Sequence, residues 1–217
     1  MTIRLLFAIP LVLLFSSCSK RGDTRSATNT RFDTVDSCVQ SDEYAILTVL
    51  LDSSYADLDE VKAGVTSCML IDSTIPLHRL SKGLTSQEFS ETHAQIPSVV
   101  LDSLLDHFKG INSRPAVLVK DCLKCQFEVM LIRETFLDSV FGGTLGRLQN
   151  WSLFYKQNPH TRGLAQVSRV AFDDLHHHAV VYWEREREAL IGYGEIVFFR
   201  RQAHGWIVLA RHTVWIS

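Results

Sequence analysis

The chain has 217 residues, of which 46% are hydrophobic and 21% are charged. These proportions are typical of a globular protein, and they exclude collagen, coiled coil and low-complexity disorder. With 22 basic and 24 acidic residues the formal net charge is −2, so no overall basic field favours nucleic acid as a partner.

The first 17 residues have the organisation of a secretory signal peptide. Arg4 precedes an apolar run from Leu5 to Phe15, which is shorter than the roughly 20 residues of a membrane-spanning helix. Because two serines and then Cys18 follow, the segment resembles the bacterial lipoprotein signal, with Phe15 standing where leucine is usual. The resemblance implies cleavage before Cys18, its modification by lipid chains such as palmitate, and an anchored location in the bacterial cell envelope, facing the periplasm or the exterior.

Residues 18–40 follow the cleavage point and are rich in serine, threonine and charge. They contain few sizeable apolar residues, so they cannot bury enough surface to fold alone. We expect a lipidated cysteine with a flexible tether over 18–40 and a single globular domain over 41–217.

The first half of that domain alternates predicted helices with short apolar runs. Apolar residues at helical spacing, together with capping residues, predict helices at 41–54, 85–93, 98–110 and 136–141. The apolar runs between them predict strands at 64–71, 116–120 and 126–133.

A helical turn is expected from Trp151 to Tyr155, and the rest of the domain has strand character. Polar or glycine-containing turns separate four predicted strands at 164–172, 179–184, 191–200 and 206–217. The charged run 184–188 is interpreted as a solvated turn. Connections this short favour antiparallel pairing. The predicted fold is α+β, with N-terminal helices and a C-terminal antiparallel β-meander.

Four motifs stand in the C-terminal part of the chain: Trp151-x-x-Phe154-Tyr155, Ser168-Arg-Val-Ala-Phe172, Gly192-Tyr-Gly194 and Trp215-Ile-Ser217. In these motifs the block resembles a family of uncharacterised bacterial hypothetical proteins, many of which are predicted lipoproteins. The resemblance implies a domain of the same class. It implies no activity and supplies no catalytic residues.

The remaining cysteines are Cys38, Cys68, Cys122 and Cys125. An even number in an exported chain permits two disulfides, whose connectivity the spacing does not determine. Cys122 and Cys125 form a C-x-x-C pair, but no second such pair completes a zinc site. Three interpretations stay open: a Cys122–Cys125 disulfide or no bond, one long-range disulfide, and redox or metal chemistry.

Catalytic and metal-binding signals are weak. Only His176 and His178 of the three adjacent histidines could share a metal, and the run stands where a turn is expected. Ser168, Asp173 and His212 form a nucleophilic triad only if chance brings them together. The glycines of Gly192-Tyr-Gly194 lack the rest of a dinucleotide loop, so no cofactor is expected. The aromatic residues of the C-terminal half are interpreted as core, with an aromatic-lined groove as the alternative.

The expected function is a membrane-anchored lipoprotein that acts as a non-enzymatic binding or envelope-assembly module. Its expected partners are the membrane, through the N-terminal lipid, and an envelope protein, a peptide or a glycan. The alternative is an exported hydrolase whose site forms only in three dimensions, and a redox protein that uses Cys122 and Cys125 is a third interpretation.

Overall fold

The structure, a computed structural model, describes residues 41–55, 66–79, 84, 89, 95–142 and 150–217. The predicted signal peptide, Cys18, the tether and Cys38 lie outside these residues, as does the predicted helix 85–93 apart from Phe89. The helices among the described residues are α1 (Ser41–Ser54), α2 (Ser98–Ile111), α3 (Glu134–Phe141) and α4 (Trp151–Gln157), and short 3-10 turns occur at Leu77–Arg79 and Lys120–Cys122.

Seven strands form one sheet. They are β1 (Ser67–Ile71), β2 (Glu128–Ile132), β3 (Thr161–Val167), β4 (Ala171–Phe172), β5 (His178–Glu188), β6 (Ile191–Gln202) and β7 (Gly205–Ile216). The order is β2-β1-β3-β5-β6-β7, and β4 pairs with β5 beyond the end of β3. The strands β2, β1 and β3 are parallel, whereas β3, β5, β6 and β7 pair antiparallel.

The predicted fold class is therefore wrong in two respects: the sheet is mixed rather than antiparallel, and the helices do not all come before it. In the chain α2 lies between β1 and β2, and α3 and α4 lie between β2 and β3, because strands that run parallel in one sheet require long crossover connections. All five residues of β1 are buried, as expected for a strand between two parallel partners. Its apolar run predicted the strand but not its neighbours.

Helices cover both faces of the sheet. Side chains alternate along the strands, so Val181 and Trp183 of β5 pack with α1, while Val180 and Tyr182 pack with α2. The helices α3 and α4 pack over Met69 and its neighbours on the α2 face. Alternation thus divides the apolar core into one layer under α1 and a second under the other three helices.

The predicted strand 164–172 is interrupted, which separates β3 from β4. At the interruption the Ser168 hydroxyl accepts a hydrogen bond from the Tyr182 backbone N–H at 2.9 Å and donates to the Arg169 carbonyl at 2.9 Å. The Ser168 backbone N–H in turn donates to the Tyr182 carbonyl at 2.8 Å. The Ser168 hydroxyl oxygen therefore accepts the Tyr182 N–H in place of a backbone carbonyl. As a result, β5 pairs with β3 before the interruption and with β4 after it.

Two buried polar side chains accept hydrogen bonds from the backbone N–H groups of Arg169 and Val170, which follow Ser168 in this interruption. Asn112, at the end of α2, accepts from the Arg169 backbone N–H at 2.8 Å. The Glu43 carboxylate accepts from the Val170 N–H at 3.0 Å and contacts the Arg169 guanidinium at 3.2 Å. Both helices that face the sheet here, α1 and α2, thus hold the break between β3 and β4.

Two further local predictions are wrong. Residues 116–120 form only a single bridge, between Val117 and Ser73, before the chain turns at Lys120–Cys122. The charged run 184–188 belongs to β5, and Arg185 is buried. Its guanidinium lies 4.3 Å from the centre of the Tyr55 ring and donates to the Arg162 carbonyl. These contacts stabilise the buried Arg185 guanidinium, so β5 extends through the charged residues 184–188.

Candidate functional site

The two histidines considered as metal ligands lie beside different carboxylates. His176 adopts φ 53° in the turn before β5, and its Nδ1 lies 3.9 Å from an Asp42 oxygen. His178 begins β5, and its Nδ1 lies 2.8 Å from an Asp173 oxygen. Within the described ranges, no group of three or more His, Cys, Asp or Glu side chains could hold a metal ion.

Asp173 organises the turn that contains these histidines. Burial by itself would raise the pKa of Asp173, but hydrogen bonds from the His178 ring and from the backbone of His177 and His178 lower it overall. The His177 N–H donates to the second Asp173 oxygen at 2.7 Å. Asp173 is therefore held as a carboxylate that closes the turn.

The three residues of the nucleophilic alternative have separate partners. Ser168 is fully buried and hydrogen-bonded to backbone, as described above. The Asp173 carboxylate contacts His178, and the His212 ring lies edge-on to Phe89 with centroids 4.9 Å apart. Each of these three side chains is thus engaged in a structural contact, and nothing in their geometry favours the hydrolase alternative.

A cleft of about 700 Å³ lies between α1, the turn at Lys120–Cys122 and the β6–β7 hairpin. One wall is formed by the exposed side of α1, which presents the short side chains of Ala45, Thr48 and Val49. The other wall is the hairpin, with Trp206 at the start of β7. Clefts of this volume are in the range of ligand sites.

A polar stripe on α1 holds the segment that forms the end of the cleft. Tyr44, Thr48 and Asp52 follow each other at four-residue spacing, and their side chains accept hydrogen bonds from the backbone N–H groups of residues 119, 124 and 126 at 2.9, 3.2 and 2.9 Å. The stripe lies on one face of the helix because 3.6 residues make a turn. This spacing was the sequence signal for the cleft, and the sequence-based prediction missed it.

The hairpin wall is fixed by charge and by an aromatic contact. The Arg201 guanidinium donates to the Asp42 carboxylate at 2.8 Å, which connects the hairpin to the first turn of α1. The same guanidinium lies 5.6 Å from the centre of the Trp206 ring, and Phe172 packs on Trp206 at 5.6 Å.

Trp206, one of the residues that line the cleft, has a buried indole N–H without a hydrogen-bond partner in the described part of the chain. The residue is only 7% exposed, and its indole N–H finds no acceptor among the described residues. A buried donor without an acceptor costs about 1–3 kcal/mol, and a ligand acceptor recovers that cost only when the side chains that cover the N–H move aside. Trp151 also has a buried N–H without an acceptor in the described part, but it packs on Phe141 and Phe154 away from this cleft.

Most of the other C-terminal aromatic residues belong to the core. Trp183 is fully buried, with its N–H bonded to Glu195 at 3.0 Å. Trp215 lies beside Gly194, where an added Cβ would collide with its indole ring, and donates to the Tyr182 hydroxyl at 2.8 Å. Several residues that carry the family resemblance thus make close packing contacts with one another.

The cysteines have different bonding states. Cys122, in the cleft, is disulfide-bonded, whereas Cys68 and Cys125 are free thiols. Burial, with the nearby Asp52 carboxylate, raises the pKa of Cys125 to about 12, and burial raises the pKa of Cys68 to about 11. A bond between Cys122 and Cys125 is therefore excluded, and neither free thiol has the low pKa of a redox-active cysteine.

The fold and the cleft define an α+β protein with a mixed seven-stranded sheet, helices on both faces and an open site beside α1. Comparison with protein-family models, with curated proteins and with solved structures gives no match for this chain. Among the described residues, no helix combines the length and the apolarity needed to cross a membrane.

Proposed function

We propose that this protein is a lipid-anchored module of the bacterial cell envelope, and that it binds an extended peptide segment of an envelope partner in the cleft beside α1. The observation that carries the binding proposal is the cleft of about 700 Å³, whose wall includes Trp206 with a buried indole N–H that lacks a partner among the described residues. The resemblance of residues 1–18 to a bacterial lipoprotein signal supports the anchoring.

A peptide suits this cleft better than a glycan. Sugar rings bind by stacking on an open aromatic face, but Arg201 and Phe172 already lie against the Trp206 ring, which is 7% exposed. What the tryptophan offers is a single N–H donor, and a peptide carbonyl is the matching acceptor. The short side chains of Ala45 and Thr48 on the opposite wall leave room for a backbone to approach.

The charges around the cleft favour a peptide without strong net charge. Arg201 is paired with Asp42, and Asp121 and Lys124 place opposite charges at the other end. Neither sign dominates, so we expect apolar contacts and backbone hydrogen bonds to supply most of the affinity.

The anchoring is tested with the full chain in a bacterial host, by comparing the wild type with Cys18→Ser. Intact mass and detergent partition are measured for both. A lipid mass increment and membrane partition that are lost in the variant are expected. An unmodified wild-type product in the soluble fraction would overturn the anchoring.

The cleft is tested by selecting a random-sequence peptide library displayed on phage against the wild-type protein. The peptides obtained are then measured against Ala45→Trp, which fills the cleft, and Ser103→Trp, a matched change on the exposed side of α2. Binding that is retained by Ser103→Trp and lost by Ala45→Trp is expected. Failure to enrich any peptide, or equal binding to both variants, would overturn the proposal.

The role of the indole N–H is tested with Trp206→Phe, which removes the donor and retains an aromatic ring. One hydrogen bond contributes about 0.5–1.5 kcal/mol, so the affinity for a selected peptide should fall roughly 2- to 12-fold. Trp215→Phe, which removes an N–H outside the cleft, is the control and should leave the affinity unchanged. Equal affinity of the wild type and Trp206→Phe would show that the donor is not used.

A further inference from the structure

The bonding state of Cys122 requires a partner cysteine. The chain has five cysteines, of which Cys68 and Cys125 are free thiols. Cys122 is disulfide-bonded and 8% exposed, at the end of the cleft. Within one chain, only Cys18 and Cys38 remain as partners, and acylation of Cys18 would occupy its sulfur in a thioether.

We propose that Cys122 is bonded to Cys38, so that the disulfide attaches the end of the N-terminal tether to the cleft. This inference goes beyond the proposed function, and its choice of Cys38 over Cys18 rests on the proposed acylation of Cys18. Cys38 stands three residues before the start of α1 at Ser41, and Asp42 in the first turn of that helix lines the same cleft as Cys122.

The contacts of α1 bring Cys122 within reach of that position. The Val119 N–H donates to the Tyr44 hydroxyl at 2.9 Å and the Lys124 N–H to the Thr48 hydroxyl at 3.2 Å, so the segment that contains Cys122 lies against the first half of α1. Three extended residues span about 10 Å. A disulfide requires Cα atoms about 4.4–6.8 Å apart, so the pairing requires the Cα atom of Cys122 to lie within about 17 Å of that of Ser41.

The bond forms by thiol–disulfide exchange in the compartment to which the chain is exported. The Cys38 thiolate attacks the disulfide of an oxidising protein dithiol and forms a mixed disulfide, with one thiolate leaving. The Cys122 thiolate then displaces the second sulfur. Two cysteine thiols are oxidised to one disulfide, and the protein oxidant leaves as a reduced dithiol that carries the two electrons and two protons.

The pairing is tested by peptide mapping of the full chain after expression with its own signal in an oxidising compartment. The protein is denatured without reductant and treated with N-ethylmaleimide before proteolysis and mass spectrometry. A cross-linked peptide pair containing Cys38 and Cys122 is expected, with the label on Cys68 and Cys125. Label on Cys122, or a cross-link from Cys122 to Cys18, would overturn the pairing.

Serine variants supply a second readout. Cys38→Ser should expose Cys122 to the label, and Cys38→Ser and Cys122→Ser should lower the urea midpoint equally, with no further loss in the double variant. Cys125→Ser is the control and should leave the cross-link intact. Protection of Cys122 in Cys38→Ser would overturn the proposal. Because Cys18 is intact in each variant, membrane partition should not change, which separates this inference from the anchoring.

Discussion

Replacing Asn112 with alanine tests how the interruption between β3 and β4 is held. The Asn112 side chain is fully buried, donates to the carbonyls of Phe108 and Arg169 at 3.0 and 3.2 Å, and accepts from the Arg169 N–H at 2.8 Å. In the variant, the Phe108 carbonyl still accepts a hydrogen bond from the backbone N–H of residue 112, and the Arg169 carbonyl still accepts one from the Ser168 hydroxyl. The main loss is therefore the acceptor of the Arg169 N–H.

Removing the acceptor of a buried donor costs about 1–3 kcal/mol, and the two weaker bonds add about 1 kcal/mol. We therefore expect Asn112→Ala to lower the free energy of unfolding by about 2–4 kcal/mol, and the melting temperature by about 5–15 °C. Urea unfolding followed by tryptophan fluorescence and by circular dichroism measures the change.

The matched control is Asn158→Ala. The Asn158 side chain makes one hydrogen bond to the carbonyl of Phe154, at 2.9 Å, within its own helix end. Its loss should cost about 0.5–1.5 kcal/mol. If Asn112→Ala were no more destabilising than this control, the argument that Asn112 holds the interruption would be refuted. Coupling of about 0.5 kcal/mol or more between Asn112→Ala and Ser168→Ala would locate the effect at the interruption.

Three further predictions concern other parts of the fold. Gly194→Ala should destabilise by several kcal/mol in urea unfolding, because a Cβ there displaces the Trp215 ring, and a change below about 1 kcal/mol would contradict this. The pKa of Asp173 is lowered in the fold by its bonds to His178, so its contribution is present above the unfolded pKa near 3.9 and is lost as the pH falls. The stability difference between the wild type and Asp173→Asn should therefore shrink from pH 6 to pH 3, and a constant difference would refute the argument. Because the pKa of Cys125 is raised to about 12, its labelling at pH 8 should be at least tenfold slower in the folded protein than in urea, and equal rates would contradict the burial.

Local apolar spacing was a good guide to individual elements. The predicted helix at 98–110 agrees with α2, where Leu101, Leu104 and Phe108 are buried. The predicted turn between the strands 191–200 and 206–217 agrees with the β6–β7 hairpin. These elements could be predicted because each depends mainly on residues that are near one another in the chain.

The errors have a common origin in contacts between distant residues. The charged run that contains Arg185 looked like a turn, because its burial depends on Tyr55 and Arg162, far away in the sequence. The cleft likewise depends on the pairing of Asp42 with Arg201, which are 159 residues apart. The spacing of Tyr44, Thr48 and Asp52 indicates a polar stripe on α1, but no local pattern specifies the distant residues that this helix contacts.

The sequence by itself thus determined most of the helices and strands, and it predicts an exported chain with a lipidated cysteine, since both depend on short runs of neighbouring residues. Only the tertiary structure decided that β1 lies between two parallel strands, that Ser168, Asn112 and Glu43 hold a break in the sheet, and that Trp206 faces a cleft. The physical reason is that strand order and buried polar pairing are determined by long-range contacts, which alternation and helical spacing do not specify.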